Sequence, residues 1–157
     1  MLDILETIKD EIIVMFVAAM PLVELRGAIP LGISMGFTPL ESTVLSIIGN
    51  IIPVPFLLRL LEPIMDYLEK TTLFSKLVKK VKKRTLKKSR DKIKKYSLLG
   101  LFILVAVPIP TTGAWTGCIA ATLLKLDPRK ALVSIVSGII AAGIIVFSLS
   151  YKVISVF

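Results

Sequence analysis

Residues 131–151, "ALVSIVSGIIAAGIIVFSLSY", run for 21 positions without a charged side chain. As an α-helix at 1.5 Å per residue this stretch covers roughly 31 Å, the thickness of a bilayer's hydrocarbon core. It must be buried either in a large protein core or in lipid. A chain of 157 residues that is 55% hydrophobic, with mean hydropathy +0.84, is too apolar for an ordinary soluble domain. The sequence therefore predicts a multi-pass membrane protein with residues 131–151 as a spanning helix. Residues 42–58, "STVLSIIGNIIPVPFLL", are also uncharged. With their flanks they are long enough to cross, and a kink is expected near Pro53 and Pro55.

Two other apolar stretches stop short. Residues 12–23 form 12 apolar positions before Glu24, and a second piece follows at 27–40. Residues 98–109 form another 12, interrupted by "PIPTTGAWTG" (108–117) and followed by "CIAATLL". A 12-residue helix covers only about 18 Å, so neither half spans alone. Half-helix, irregular polar tip, half-helix is the pattern of a re-entrant hairpin, where non-helical backbone is tolerated inside protein or a wet cavity.

Charge placement agrees. Residues 76–95 contain twelve Lys or Arg and one acid, Asp91, and the short loop 125–130, "KLDPRK", carries three more cations. If residues 98–124 enter and return, both basic segments lie on the cytoplasmic side, as basic loops prefer; a single crossing would separate them. The first spanning helix then runs inward and the second outward, so the two halves are inverted. The expected architecture is an all-α integral membrane protein. It has two re-entrant helical hairpins, two transmembrane helices in an inverted repeat and a basic cytoplasmic amphipathic helix. Residues 1–157 form one membrane domain: a first half at 1–61, a basic helix or linker at 62–96 and a second half at 97–157. Full crossing by both hairpins, giving six crossings, is the topological alternative.

A weak internal repeat fits the inversion. A shift of 86 residues pairs Gly27-Ala28 with Gly113-Ala114, and a shift of 89 pairs Pro39, Val44 and Gly49 with Pro128, Val133 and Gly138. Inverted repeats whose broken helices meet near the midplane are a common transporter plan.

At the N-terminus, Asp3, Glu6, Asp10 and Glu11 against Lys9 lack the basic start of a cleavable signal. Residues 1–13 are expected to form a short interfacial helix that stays on the protein. In the basic run, Lys79, Lys80, Lys82, Lys83, Arg84, Lys87 and Lys88 are expected at the surface of the cytoplasmic membrane. There they meet anionic headgroups, with Phe74, Leu77, Val78 and Val81 as an apolar face. Nucleic acid is not expected as a partner of so hydrophobic a chain.

With no histidine and one cysteine, Cys118, neither a metal site nor a disulfide is expected. No nucleophile set, paired carboxylates, P-loop or dinucleotide fingerprint occurs, so no enzymatic activity and no cofactor are expected. The functional candidates are the tips. Glu24 and Arg26 sit one residue apart, and ionisable groups inside a membrane mark pathways or partners. They either neutralise one another at the hairpin turn, or Arg26 attracts an anionic group while Glu24 competes for it. Gly27 permits close backbone approach and Pro30 frees a carbonyl; Gly32 and Gly36 form a GxxxG pair expected to pack against a neighbour. The second tip is neutral and rich in donors: Pro108, Pro110, Thr111, Thr112, Gly113, Trp115, Thr116 and Gly117. Trp115 could equally serve as an interfacial anchor. Asn50, mid-span, needs a partner: a neighbouring helix or a pore.

"ELRGAIPLG" (24–32) and "PIPTTGAWTG" (108–117), in this order and spacing, resemble the signature segments of the putative small multi-drug export protein family, and the resemblance covers nearly the full chain. That family is similar, more distantly, to the DedA superfamily, which includes carrier-lipid transporters and lipid scramblases. The resemblance implies facing re-entrant hairpins. It assigns Glu24, Arg26, Gly27 and Pro30 to the first signature, and Pro108, Pro110, Thr111, Thr112, Gly113, Trp115 and Gly117 to the second. The neutral second tip departs from the DedA pattern, which expects a further acid and arginines there, and this speaks against a phospholipid or polyprenyl-phosphate substrate.

The expected function is a small transporter of an amphipathic or anionic molecule. The alternatives are a lipid scramblase or polyprenyl-phosphate translocase, and a membrane scaffold. Two spans enclose little space, so a homo-oligomer is expected.

Overall fold

The computed structural model describes residues 2–69, 90–107 and 112–154; the expected surface residues Lys79 to Lys88, with Pro108, Pro110 and Thr111 of the second tip, lie outside them. The described residues are helical throughout, without strands: α1 Leu2–Ala19, α2 Glu24–Ser34, α3 Pro39–Ile51, α4 Pro53–Glu69, α5 Arg90–Ala106, α6 Ala114–Leu123 and α7 Pro128–Ile154. α3 and α4 follow one another across Ile52 and together supply an apolar span, Pro39–Ile64; α7 supplies the other, Pro128–Tyr151.

α3 is amphipathic in reverse. Ser42, Thr43, Ser46 and Asn50 are buried, while Val44, Ile48, Ile52, Phe56, Leu60 and Ile64 are exposed at every fourth position. That spacing draws one apolar stripe along the outside of α3 and α4, longer than a water-exposed surface tolerates and suited to lipid. Polar side chains inside and apolar ones outside along α3, in an apolar helical stretch long enough to cross a bilayer, point to a membrane protein.

Two differences from expectation concern continuity. The interfacial helix and the first arm of the first hairpin are a single helix, α1, because no Gly or Pro occurs between Leu2 and Met20; Pro21 then ends it. α5 likewise begins inside the basic run, at Arg90, and continues to Ala106.

The chain doubles back at both breaks. A Cβ on Gly32 would meet Val14 at 3.3 Å, so α2 returns along α1; a Cβ on Gly117 would meet Val105 at 2.7 Å, so α6 returns along α5. α3 packs on α1, α2 and α7, α7 packs on α5 and α6, and α4 packs on α6. Leu25, Ile29, Val105, Ala114, Cys118, Ile135 and Ile139 form the main core.

The link from each returning helix to its spanning helix is the same turn. After α2, Gly36 N–H donates to Ile33 C=O and Phe37 N–H to Gly32 C=O, both at 3.1 Å; after α6, Lys125 N–H donates to Thr122 C=O and Leu126 N–H to Ala121 C=O, both at 3.0 Å. Each is a Schellman ending, with Gly36 (φ 100) and Lys125 (φ 49) at its left-handed position. An N-cap follows, Thr38 paired with Glu41 in a capping box and Asp127 accepting from Arg129 N–H, and each spanning helix then starts on proline, Pro39 or Pro128. All four steps are 89 residues apart.

A left-handed lysine is strained where glycine is not. Lys125→Gly is therefore expected to raise stability and Gly36→Ala to lower it, each by about 1 kcal/mol. Denaturant titration of the purified protein checks the opposite signs.

Candidate functional site

The two tips meet through crossed hydrogen bonds. Glu24 opens α2 with φ 51 and is 7% exposed. Its carboxylate accepts from the backbone N–H groups of Trp115 and Ala114, the first residues of α6. Those groups have no partner within their own helix and carry the positive end of its dipole. Gly113 makes the approach possible, because a Cβ there would occupy the space of the Glu24 carboxylate.

Arg26 serves the opposite pole. Its Nη2 donates to Val107 C=O at 3.0 Å, just past the C-terminus of α5, and Thr112 Oγ1 donates to the same oxygen at 3.2 Å. The carbonyls at that end have lost their helical donors and carry the negative end of the dipole. In return, Trp115 Nε1 donates to Ala19 C=O at 3.0 Å, at the end of α1. Each tip thus caps helices of the other: acid on an N-terminus, guanidinium and indole on C-termini. Charge-assisted hydrogen bonds of this kind are what allow ionised groups to sit in a half-buried site.

The acid and arginine do more than neutralise one another. The left-handed backbone at Glu24 turns its side chain toward α6, so the adjacent charges reach two different elements of the second half. Sequence spacing left open whether the two charges peg their own turn or serve a ligand; besides their mutual attraction, Glu24 engages the Ala114 and Trp115 N–H groups and Arg26 the Val107 carbonyl, main-chain partners that no side-chain motif reveals.

The other candidates divide by role. Thr116 Oγ1 accepts from Gly113 N–H at 2.8 Å and donates to Gly113 C=O at 3.0 Å, fixing the start of α6. Gly117 lies against Val105, and Gly27 against Val23. Pro30, exposed on α2, removes the N–H that would bond Arg26 C=O. Trp115 is half-buried and its Nε1 is bonded to the end of α1, so it ties the tips together. The GxxxG expectation holds for one glycine: Gly32 packs on Ser42 and Val14, whereas Gly36 has open space around it and is needed for its φ. Asn50 is buried, but its Oδ1 has no hydrogen-bond partner among the described residues. Ser46, missed by sequence reasoning, shares that condition; the polar positions 42, 46 and 50 at a period of four were the available signal.

Apart from the tips, a cavity of about 600 Å³ lies between α1 and the α2–α3 turn, lined by Thr7, Asp10, Glu11, Phe37 and Glu41 among others. The Glu41 carboxylate there is engaged by the Thr38 N–H and hydroxyl. No group of three or more His, Cys, Asp or Glu among the described residues could hold a metal ion.

Compared with known proteins, residues 24–145 match the family model described as putative small multi-drug export protein, well over half of the chain. The match begins at Glu24 and includes both tips and the turns that follow them. No curated protein and no solved structure matches.

Proposed function

The chain belongs to the putative small multi-drug export protein family, and from that premise we propose that it carries an amphipathic or anionic small molecule across the membrane between its two tips. The observation that carries the reading is the crossed capping. The N-terminus of α6 and the Arg26 guanidinium together offer what an anionic group seeks, oriented N–H donors and a fixed positive charge, and Glu24 occupies part of that place. An entering anion competes with Glu24 for α6 and Arg26, and its departure lets the carboxylate return. The tips part and rejoin by exchanging hydrogen bonds of equal kind, so opening leaves no helix end permanently bare.

The finer topology belongs to the same proposal. α1–α2 and α5–α6 are hairpins entering from opposite faces, and α3–α4 and α7 are the spans. The shared turn 89 residues apart supports an internal repeat, and the basic segments 76–95 and 125–130, placed on the cytoplasmic side, make it inverted. A homo-oligomer completes the wall of the passage, and its lipid-facing partners are membrane lipids.

Proteoliposomes test this. Vesicles preloaded with carboxyfluorescein, an anionic dye, are expected to empty at least tenfold faster with the native protein than with Arg26→Gln, with Arg26→Lys between them. Equal efflux from native and Arg26→Gln vesicles contradicts the proposal. Movement of labelled phospholipid between leaflets without dye efflux points to scrambling instead.

A further inference from the structure

The place that Glu24 occupies is specific about what else could fill it. Its carboxylate accepts from the Ala114 and Trp115 N–H groups and feels the Arg26 charge, so donors and cation meet at one group. Both carboxylate oxygens crowd the position that a Gly113 Cβ would take, so they lead toward the start of α6. A side chain of one tip is thus seated on the other as a bound carboxylate would be, and it is 7% exposed there.

Among the described residues, the neutral side-chain donors around this seat are already engaged. Thr116 Oγ1 donates to Gly113 C=O, Thr112 Oγ1 to Val107 C=O and Trp115 Nε1 to Ala19 C=O. The seat therefore offers the two main-chain N–H groups that Glu24 uses, enough for the two oxygens of one carboxylate. Positive charge is equally sparse. Residues 12–40 contain one cation, Arg26, and residues 96–124 contain no charged side chain at all. One guanidinium and the partial charge of a helix N-terminus balance a single negative charge. A dianion, or a group with a third and fourth oxygen, would keep charge and oxygens uncompensated in a half-buried place. Around the seat the first tip exposes Met20, Leu22 and Val23, and the second exposes Val107, an apolar rim for the rest of a ligand.

We propose that the anion received at the tips is a monocarboxylate carrying an apolar chain, and that Glu24 is the resident carboxylate it displaces. The inference rests on the reading of the tips as the place of passage and names its substrate class. The incoming carboxylate takes over the Ala114 and Trp115 N–H groups and the Arg26 charge, its chain lies on the apolar rim, and the site keeps the same count of donors and charges before and after the exchange.

Chemical rescue tests it. Glu24→Gly vacates the seat and tolerates the φ of 51 found there. In thermal unfolding of the purified full-length variant in micelles, sodium propionate is expected to raise the melting temperature saturably by ~3 °C or more over sodium chloride of equal ionic strength. Hexanoate, with three more methylenes for the apolar rim, should half-saturate at a concentration about tenfold lower. Sodium methanesulfonate, a monoanion with three oxygens, should act like chloride. The native protein, whose seat is filled, and the double variant Glu24→Gly/Arg26→Gln, whose seat has lost its charge, should gain less than about a third as much. If Glu24→Gly is recovered unfolded in chloride, folded protein recovered in propionate but not in methanesulfonate is the expected result instead. No rescue by propionate, equal rescue by methanesulfonate, or an equal rise in the native protein or the double variant overturns the proposal. Such a failure leaves Arg26-dependent dye efflux standing, whereas that efflux can fail while propionate still fills the seat, so the two readings fall separately.

Discussion

Glu24→Ala should destabilise the protein by about 3–5 kcal/mol, the loss seen when one partner of a buried charged network is removed. Three effects add. The N–H groups of Ala114 and Trp115 lose their acceptor at a helix end. Arg26 loses a neighbouring negative charge. The alanine must still adopt the left-handed backbone, φ 51, that Glu24 occupies. Glu24→Gly separates these effects, since it also removes the carboxylate but tolerates that φ; it should be less damaging than Glu24→Ala by about 1 kcal/mol. Glu24→Gln keeps an acceptor without the charge and should fall between native and alanine. Denaturant titration of the purified protein gives the order. Were Glu24→Ala within ~1 kcal/mol of native, the carboxylate could not be the clasp between the tips.

Gly49→Ala should be comparably damaging, by about 2–3 kcal/mol or more, because the new methyl has nowhere to go. It would overlap the Met15 carbonyl oxygen and lie 2.7 Å from Met15 Cα, and helical backbone cannot swing aside as a side-chain end can. The counterpart 89 residues on behaves alike: a Cβ on Gly138 would sit 2.7 Å from Val105 Cβ and 3.0 Å from Phe102 C=O. In both halves the spanning helix lays a glycine on the first arm of its own hairpin, so Gly138→Ala should cost a similar amount. Gly100→Ala is the control. Gly100 is helical with open space around it, and alanine should stabilise by about 0.5–1 kcal/mol. Similar losses at 49 and 138 with a gain at 100 tie the effect to helix contact. Tolerance of Gly49→Ala would mean that α1 and α3 are not so closely packed.

Much of this frame was legible in the sequence because membrane helices are written in length and charge. The uncharged runs at 42–58 and 131–151 fall inside the spans Pro39–Ile64 and Pro128–Tyr151, and the 12-residue limits fall at the two breaks. The match of Pro39 and Gly49 with Pro128 and Gly138 pointed to the shared turn and shared glycine contact, though the pairing of Gly27 with Gly113 did not hold. Gly27 packs on the preceding turn of its own segment, and Gly113 on Glu24 of the other tip. What stayed hidden depends on main-chain partners. Glu24 and Arg26 drew attention as a pair because they are neighbours in the chain, but their hydrogen bonds go to helix ends some 80 to 90 residues away. The continuity of α1 was obscured because its acidic start and apolar end look like separate pieces in composition, although nothing between them breaks a helix.

The most direct test of paired tips within the membrane is sided labelling with a membrane-impermeant thiol reagent, on single cysteines placed in a Cys118→Ala background. Gly36→Cys should label only from the outer face and Lys125→Cys only from the cytoplasmic face. Leu22→Cys, at the first tip, should stay unlabelled from the cytoplasmic side. Labelling of positions 36 and 125 from the same face, or of position 22 from the cytoplasm, would contradict two hairpins that enter from opposite faces and meet inside.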